Sequence, residues 1–372
     1  MRIAHLANFY GPKSGGLRTM VHALGEGYTG HGHDFLMIVP GPENSDEMTP
    51  YGRRVTIKAP ELPGSGGYRV ILRTHRVRKV LEDFNPDRLE VSDRTTLRGL
   101  GSWARRRGIP SVFFSHERAD GIMDANVPRW ARNALPIVPA ANWHNRGTWR
   151  RFSTVVCTTQ YAAEEFDRID LETARVPLGV DLEFFGPRHH SDEVRARYAA
   201  PDEALLAMAS RLSTEKRPDL AIEAVRILGE RGRKVRLVSA GAGNIADEMA
   251  ELAEGLPVTF LGFVNGRDQY AALLATADVL VAPGPIETFG LAALEGLASG
   301  TPVVVNGVSA LPEVVGDAGA AAESTAEGFA DAIEDLLDRD PTARRAAARE
   351  RAETFPWSET IRKMLDLHAT RL

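Results

Sequence analysis

Two carboxylates carry the sharpest chemical signal in this 372-residue chain. The stretch Gly284-Pro285-Ile286-Glu287-Thr288-Phe289-Gly290-Leu291-Ala292-Ala293-Leu294-Glu295-Gly296 follows a strand expected over Asp278–Pro283. It places Glu287 in a turn and Glu295 inside the next helix. Carboxylates accept pairs of hydrogen bonds from vicinal hydroxyls, so two of them near a helix N-terminus suit ribose and sugar hydroxyls. They can also stabilise positive charge that develops at an anomeric carbon. Glu295 could instead be a plain surface residue, but Ala292, Ala293, Leu294, Leu297 and Ala298 around it are apolar, a poor setting for a solvated acid.

The second signal is cationic. In Ser210–Asp219, after the strand Ala204–Ala209, Arg211 and Lys216 could converge on a diphosphate. The Arg would use its planar fork, the Lys its point charge. A solvated loop is the commoner origin of such a charge run, but the place at a strand's carboxyl end favours binding. The third signal is the loop Asn8–Gly16, where Gly15 and Gly16 let a ligand approach the backbone. The helix expected from Leu17 offers N–H groups and a favourable dipole to an anion. A tight turn without a ligand is an equal reading, and the loop lacks the G-x-G-x-x-G dinucleotide pattern. His116 ends the strand Ser111–Ser115, a place that makes it a candidate for ligand contact. Gly241-Ala242-Gly243 is a further close-approach turn. The pairs His31/His33 and His189/His190 have no acid or Cys at metal spacing, so no metal site is expected.

These residues need a scaffold, and the pattern supplies one. Strands are expected at Arg2–Ala7, Asp34–Val39, Arg88–Val91, Ser111–Ser115 and Thr154–Thr158, with helices from Leu17 and over Val70–Phe84 and Leu97–Arg107. After Val176–Asp181 the alternation restarts. Strands are expected at Ala204–Ala209, Val235–Ala240, Val258–Leu261, Val279–Ala282 and Pro302–Val305, and helices at Arg217–Arg231 and Ile245–Glu254. Alternating strands and helices imply an α/β class with two doubly wound parallel sheets, and a cleft at the strands' carboxyl ends. A helix over Trp357–Leu372 closes the chain.

Composition narrows the classes. The chain is 43% hydrophobic and 26% charged, which excludes a disordered or collagen-like protein. Cys157 is the only cysteine, so no intrachain disulfide forms, as suits a reducing cytoplasm. Its longest apolar stretches fall far below the ~20 residues of a membrane span. Residues 1–180 hold 25 basic against 19 acidic residues, +6, and residues 181–372 hold 20 against 31, −11. That asymmetry points the first half toward an anionic partner.

Taken together, the Gly-Gly loop, the Arg211…Lys216 loop, the Val176–Asp181 connection and the Glu287/Glu295 pair resemble the retaining GT-B glycosyltransferases of family four, along the whole chain. Ala7–Thr19, Leu89–Arg94, Ser115–Arg118 and Ala282–Pro285 are most similar to its actinobacterial branch that mannosylates phosphatidylinositol dimannoside. The resemblance implies a GT-B fold: an acceptor-side Rossmann-like domain at 1–180, a nucleotide-sugar domain at 181–356, and a helix at 357–372 crossing back to the first. The implied donor is GDP-mannose. Arg211 and Lys216 would hold its diphosphate, Glu295 the ribose and Glu287 the sugar. Gly15 and Gly16 would approach the distal phosphate, and Phe289, Gly290 and Leu291 would line the donor. Val264 would lie by the base. His116, Glu287, Arg211 and Lys216 form the implied catalytic set, with no metal or other cofactor. The implied acceptor is a glycolipid, a mannosylated phosphatidylinositol. A UDP- or ADP-sugar with a small acceptor, a GT-B sugar-nucleotide epimerase, and a non-catalytic lipid- or nucleotide-binding module remain alternatives.

A membrane contact fits that acceptor. Arg69, Arg73, Arg76, Arg78 and Lys79 stand with no acid among Val70, Ile71, Leu72 and Val77. Residues 129–151 add five Arg, no acid, and Trp130, Trp143 and Trp149. Basic residues near an anionic surface gain about 1 kcal/mol each, and Trp suits the interface. The alternative is a solvated basic face with the Trp side chains buried between helices. No nucleic-acid recognition motif accompanies the patches. The expected location is the cytoplasm, at the inner face of the plasma membrane.

Overall fold

The computed structural model describes residues 1–11, 15–62, 67–127 and 135–370. The chain forms two compact units, Met1–Leu178 together with Trp357–Leu372, and Gly179–Pro356.

Among the described residues the first unit is built on eight strands: β1 (Arg2–Leu6), β2 (Asp34–Gly41), β3 (Ser45–Thr49), β4 (Gly52–Lys58), β5 (Arg88–Val91), β6 (Ser111–Ser115), β7 (Thr154–Cys157) and β8 (Ala174–Arg175). Their order is β3-β4-β2-β1-β5-β6-β7-β8. Every pair is parallel except β3 with β4, which corrects the expectation of a wholly parallel sheet. β2, expected to end at Val39, runs to Gly41, and the chain then folds into an edge hairpin. Almost all of β3 is exposed, and Arg53–Asp46 and Arg54–Glu47 pairs cross to it at 2.7 and 2.9 Å. Charge on an edge strand discourages pairing with another chain.

β1 lies mid-sheet, buried from Ile3 to Leu6. Above it the helix Gly16–Gly30 buries Met20, Val21, Leu24 and Tyr28 at helical spacing. The helix expected from Val70 starts at Thr74. Val70 and Ile71 instead bury their side chains ahead of it, and Asn8 Oδ1 accepts the Ile71 N–H at 2.9 Å. The stretch expected as one helix over Leu97–Arg107 is a 3-10 turn, Leu97–Gly99, followed by the helix Leu100–Arg106. The final helix, Trp357–Ala369, buries Ile361, Met364 and His368 and packs on Gly16–Gly30. Arg88 Nε donates to the His368 carbonyl at 2.8 Å, and Thr360 Oγ1 to the Pro177 carbonyl at 2.8 Å.

Three histidines are expected to cost this unit stability in acid. Burial, with Arg18 and Arg54 nearby, lowers His22 from 6.5 to about 4. Burial with Arg98, Arg94 and Arg151 lowers His144 to about 4. Burial with His5 and Arg94 lowers His116 to about 3. The unfolded chain takes up these protons near pH 6.5 and the folded one does not, so stability falls as pH drops from 6.5 toward 4. All five Trp belong to this unit, so their fluorescence reports its unfolding alone. The urea midpoint by Trp emission is expected to fall steadily between pH 7 and 5. A flat midpoint would refute this.

The second unit has six parallel strands: β9 (Ala204–Ala209), β10 (Val235–Ala240), β11 (Val258–Gly262), β12 (Val279–Ala282), β13 (Val303–Asn306) and β14 (Ala320–Ala322). Their order, β11-β10-β9-β12-β13-β14, reverses direction between β9 and β12. Connections leave β9 and β12 toward opposite sides there, and a crevice opens at the carboxyl ends. The strands are buried nearly throughout, as a sheet covered on both faces requires.

Candidate active site

The loops after β9 and β12 meet at that crevice. A pocket there is lined by Ser210, Lys216, Gly284, Glu287, Gly290 and Ala292, among others. Lys216 ends the 3-10 turn Thr214–Lys216. Arg217 follows with φ +49°, a conformation L-residues seldom adopt, and Pro218 starts the next helix at its favoured first position. Asp219 holds the Arg217 guanidinium at 2.7 Å, fixing the turn that presents Lys216.

Both cations already rest on carboxylates. Lys216 Nζ donates to Glu287 Oε1, and both side chains are about four-fifths buried. Arg211, half exposed, donates to Glu215 Oε1 at 3.0 Å. Burial disfavours the ionised Glu215, but the Ser213 hydroxyl at 2.6 Å, a backbone N–H, Arg211 and Lys216 outweigh it and hold the acid below its ordinary range. A diphosphate entering here would therefore exchange one set of anionic partners for another.

Gly241 and Gly243 approach backbone, not open space. A Cβ on Gly241 would sit 1.8 Å from the Ser210 carbonyl oxygen, and one on Gly243 1.8 Å from that of Leu212. Leu212 N–H donates to the Ala242 carbonyl at 3.2 Å. The close approach read from the sequence thus packs the Arg211 loop.

On the β12 side, Asn306 Nδ2 donates to the Pro283 carbonyl and Ala310 N–H to the Glu287 carbonyl, each at 2.9 Å. Gly290 has φ +76°, and a Cβ there would lie 2.2 Å from Leu311. It caps the helix Leu291–Ala298, its carbonyl accepting the Ala293 and Leu294 N–H groups at 3.0 and 3.2 Å, while the N–H groups of Leu291 and Ala292 come before the helix's first turn of acceptors. The Phe289 side chain is buried edge-on against Phe355, 6.0 Å between centroids, so only its backbone could serve a ligand. Glu295 is partly buried one turn further on. Burial pushes its carboxyl up to about 7, against the opposing pull of a 2.9 Å hydrogen bond from Tyr270 Oη and the nearby Arg267 charge. Val264 is partly buried in the loop after β11.

The second unit thus brings Lys216 and Glu287 into contact, with Gly290 beside them and Arg211 on the same loop as Lys216. Gly15, Gly16 and His116 belong to the first unit. Gly15 precedes the helix Gly16–Gly30, and among the described residues none beyond its own chain neighbours comes within 4 Å of where its Cβ would stand. Pro12, Lys13 and Ser14 of the same loop lie outside the described residues. His116 stacks on Phe114 at 5.6 Å, and its Nε2 is 2.7 Å from Ser92 Oγ. Sequence reasoning missed Tyr270, the partner of Glu295, and everything behind His116. The signal for the latter was a polar His5 and a Glu90 inside otherwise apolar central strands.

The basic stretch needs one correction. Arg69 is engaged, donating to the Ala59 carbonyl at 2.8 Å and to Glu61 at 3.3 Å, and is not a free surface charge. Arg73, Arg78 and Lys79 are exposed at the start of the helix Thr74–Phe84, and Arg76 is partly so. Arg129, Trp130 and Arg132 lie outside the described residues. Trp143 is 76% exposed on the helix Ile137–Trp149, so it is not buried between helices.

Two doubly wound α/β units, one with a cation-and-carboxylate crevice at its switch point, define the GT-B class of glycosyltransferase. Residues 15–180 match the model of the glycosyl transferase 4-like domain, and residues 190–354 that of glycosyl transferases group 1. The chain is 46% identical over 368 residues to a GDP-mannose-dependent alpha-(1-6)-phosphatidylinositol dimannoside mannosyltransferase of Mycobacterium tuberculosis, covering 98% of this chain and 95% of that one. Among solved structures, sucrose-phosphate synthase from Thermosynechococcus elongatus superposes with a TM-score of 0.78 at 20% identity, covering 99% and 98% of the two chains. WaaG, a glycosyltransferase involved in lipopolysaccharide biosynthesis, gives 0.73 at 19%, covering 99% of each. The chain belongs to this glycosyltransferase family and is a hexosyltransferase.

Proposed function

We propose that the protein transfers mannose from GDP-mannose, with retention, to a mannosylated phosphatidylinositol. The observation that carries the donor chemistry is the contact of Lys216 with Glu287 in the β9/β12 crevice, with Arg211 on the same loop. The choice of mannose and of a lipid acceptor draws its support from the mycobacterial relative. In this reading Arg211, Lys216 and the helix N-terminus at Leu291 take up the diphosphate charge, a task otherwise suited to a divalent cation. Glu287, released by Lys216, turns to the sugar hydroxyls. The bond from C1 to the diphosphate oxygen breaks and the acceptor hydroxyl attacks from the same face. Its proton passes to the departing phosphate oxygen.

Thermal unfolding with GDP, UDP, ADP and GDP-mannose at equal excess tests the donor. A ligand at 100 times its Kd adds about 2.7 kcal/mol. Selective stabilisation by GDP and GDP-mannose is the expected result. Preference for UDP or ADP would discard mannose from GDP-mannose, and no shift with any of them would discard the crevice.

The acceptor is a lipid, and we infer that the first unit reaches it at an anionic membrane surface. Arg73, Arg78, Lys79 and the exposed Trp143, beside exposed Leu135 and Val138, support this. No helix among the described residues is long and apolar enough to cross a membrane. Binding to vesicles containing phosphatidylinositol is expected to weaken at least tenfold in Arg73→Glu/Arg78→Glu. Equal binding by the double variant would overturn the contact.

A further inference from the structure

In the first unit, the turn Leu97–Gly99 and the C-terminal end of the helix Ile137–Trp149 gather cations that the proposed reaction does not use. Arg98 comes from the turn and Arg151 from just past the helix, and both are partly buried. Arg105, Arg146 and Arg150 stand exposed around them. None of these five arginines is paired with a carboxylate among the described residues.

Arg98 and Arg151 each turn one nitrogen inward. Arg98 Nη1 lies 2.8 Å from His144 Nδ1 and 3.2 Å from both the His144 carbonyl and Thr148 Oγ1. Arg151 Nη1 donates to the Gly147 carbonyl. These bonds serve the last turn of a helix, where cations are favoured. Capping of this kind leaves Nε and Nη2 of both arginines without a protein acceptor among the described residues.

The two guanidinium groups also converge. A Cβ built on Gly147 would stand 3.0 Å from Arg151 Nη1 and 3.5 Å from Arg98 Nη2, so both cations border one space over the helix backbone. Gly147 does not have the positive φ that would call for glycine, and glycine is disfavoured inside a helix relative to alanine. What it supplies is room between the two cations. Nothing acidic fills that room. Asp93 spends its carboxylate on Thr95 Oγ1 at 2.7 Å and the Leu97 N–H at 2.8 Å. Glu165 is taken by Arg94 at 2.8 Å. Burial, with Arg151 and Arg94 nearby, lowers Arg98 to about 10 against the pull of Asp93, as expected where like charges lack a counter-ion.

We propose that Arg98 and Arg151 form a phosphate-binding site over Gly147, in the first unit and separate from the β9/β12 crevice. Its ligand is a phosphate group, carried by a lipid headgroup or by a soluble ester. Guanidinium edges match pairs of phosphate oxygens, and an anion there relieves the repulsion between the two cations. The exposed Arg105, Arg146 and Arg150 concentrate anions at its mouth.

The test is a titration of the full chain with inorganic phosphate at pH 6.5, with chloride holding the ionic strength constant, read from the Nε–Hε resonances of nitrogen-labelled arginine. The Arg98 and Arg151 resonances are expected to move together and saturate with one Kd. Arg98→Gln and Arg151→Gln should each weaken that Kd at least tenfold. Gly147→Ala keeps both arginines and fills the space between them. It should bind phosphate at least threefold more weakly with no fall in its unfolding midpoint, a pairing that a purely structural role for the arginines would not produce. Lys216→Ala should keep the native Kd at this site, so the result does not depend on the donor crevice. Vesicles with and without phosphatidylinositol identify the source. Weaker binding of Arg98→Gln/Arg151→Gln to phosphatidylinositol vesicles assigns the phosphate to a lipid, and unchanged vesicle binding assigns it to a soluble ester. Resonances that do not saturate, or a native Kd in Gly147→Ala and both glutamine variants, would overturn the site.

Discussion

Lys216→Ala is expected to lower kcat by about 10²–10³-fold while leaving the fold intact. The size comes from the loss of one preorganised charge at the atom where charge develops as the diphosphate departs. The structure explains why the fold should tolerate it. In the free protein Lys216 is paired with Glu287, and each side chain keeps about a fifth of its surface in solvent. Removing the ammonium leaves a carboxylate that water can still reach, not a stranded ion in the core. Unfolding midpoints should therefore move little, and the loss should appear in turnover. The donor KM should rise less than kcat falls, because the interaction strengthens as the bond to C1 breaks. Lys216→Arg is not expected to rescue fully, since a planar fork replaces a compact charge in a pocket closed by Gly284 and Gly290. A kcat within threefold of the native enzyme in Lys216→Ala would remove Lys216 from the catalytic set.

How much of this was readable beforehand depended on where each residue's partners lie in the chain. The strands Ala204–Ala209 and Val279–Ala282 were legible because a sheet covered on both faces demands uninterrupted apolar residues. β3 was not, because Ser45–Thr49 buries almost nothing and so carries no apolar alternation. β14, three alanines, is too short to show a period. The Lys216 and Glu287 loops were legible one at a time, since each follows a recognisable strand. Their contact, across 71 residues, needed the order of β9 and β12. Gly241 and Gly243 were read as a close-approach turn, and what approaches them is the carbonyls of Ser210 and Leu212. A glycine announces close approach without saying what approaches. The buried Glu90 shows the same limit. It finds His5 85 residues away and His368 278 residues away, and nothing local marks the pairing.

Glu295 gives the other large effect, and its sign can be worked out. Burial raises its carboxyl to about 7, so at pH 6 the free protein holds it mostly protonated. A ribose diol donating two hydroxyls to one carboxylate favours the ionised form. Binding of GDP below pH 7 should then release a proton. Calorimetric titration at pH 6.5 in buffers of different ionisation enthalpy is expected to show that release, and Kd should weaken up to tenfold per pH unit below about 7. Stability runs the opposite way from the first unit's histidines. An acid whose folded pKa lies above its unfolded 4.5 favours the fold when protonated, and that advantage is lost as pH rises from 4.5 through 7. Above pH 7 the ionised Glu295 is a burden that Glu295→Gln removes, keeping the shape and a partner for Tyr270. The variant is expected to unfold with roughly 1–3 kcal/mol more resistance at pH 8, since each tenfold change in an acid's ionisation equilibrium corresponds to about 1.4 kcal/mol. It should bind GDP at least tenfold more weakly, since a hydrogen bond to a charged acceptor is worth more than one to an amide. Because the Trp residues report only the first unit, scanning calorimetry has to read this gain. Gain in stability with loss of binding is the mark of a group kept for its ligand. If Glu295→Gln binds GDP as the native protein does, and Kd shows no dependence on pH between 6 and 8, the ribose lies elsewhere.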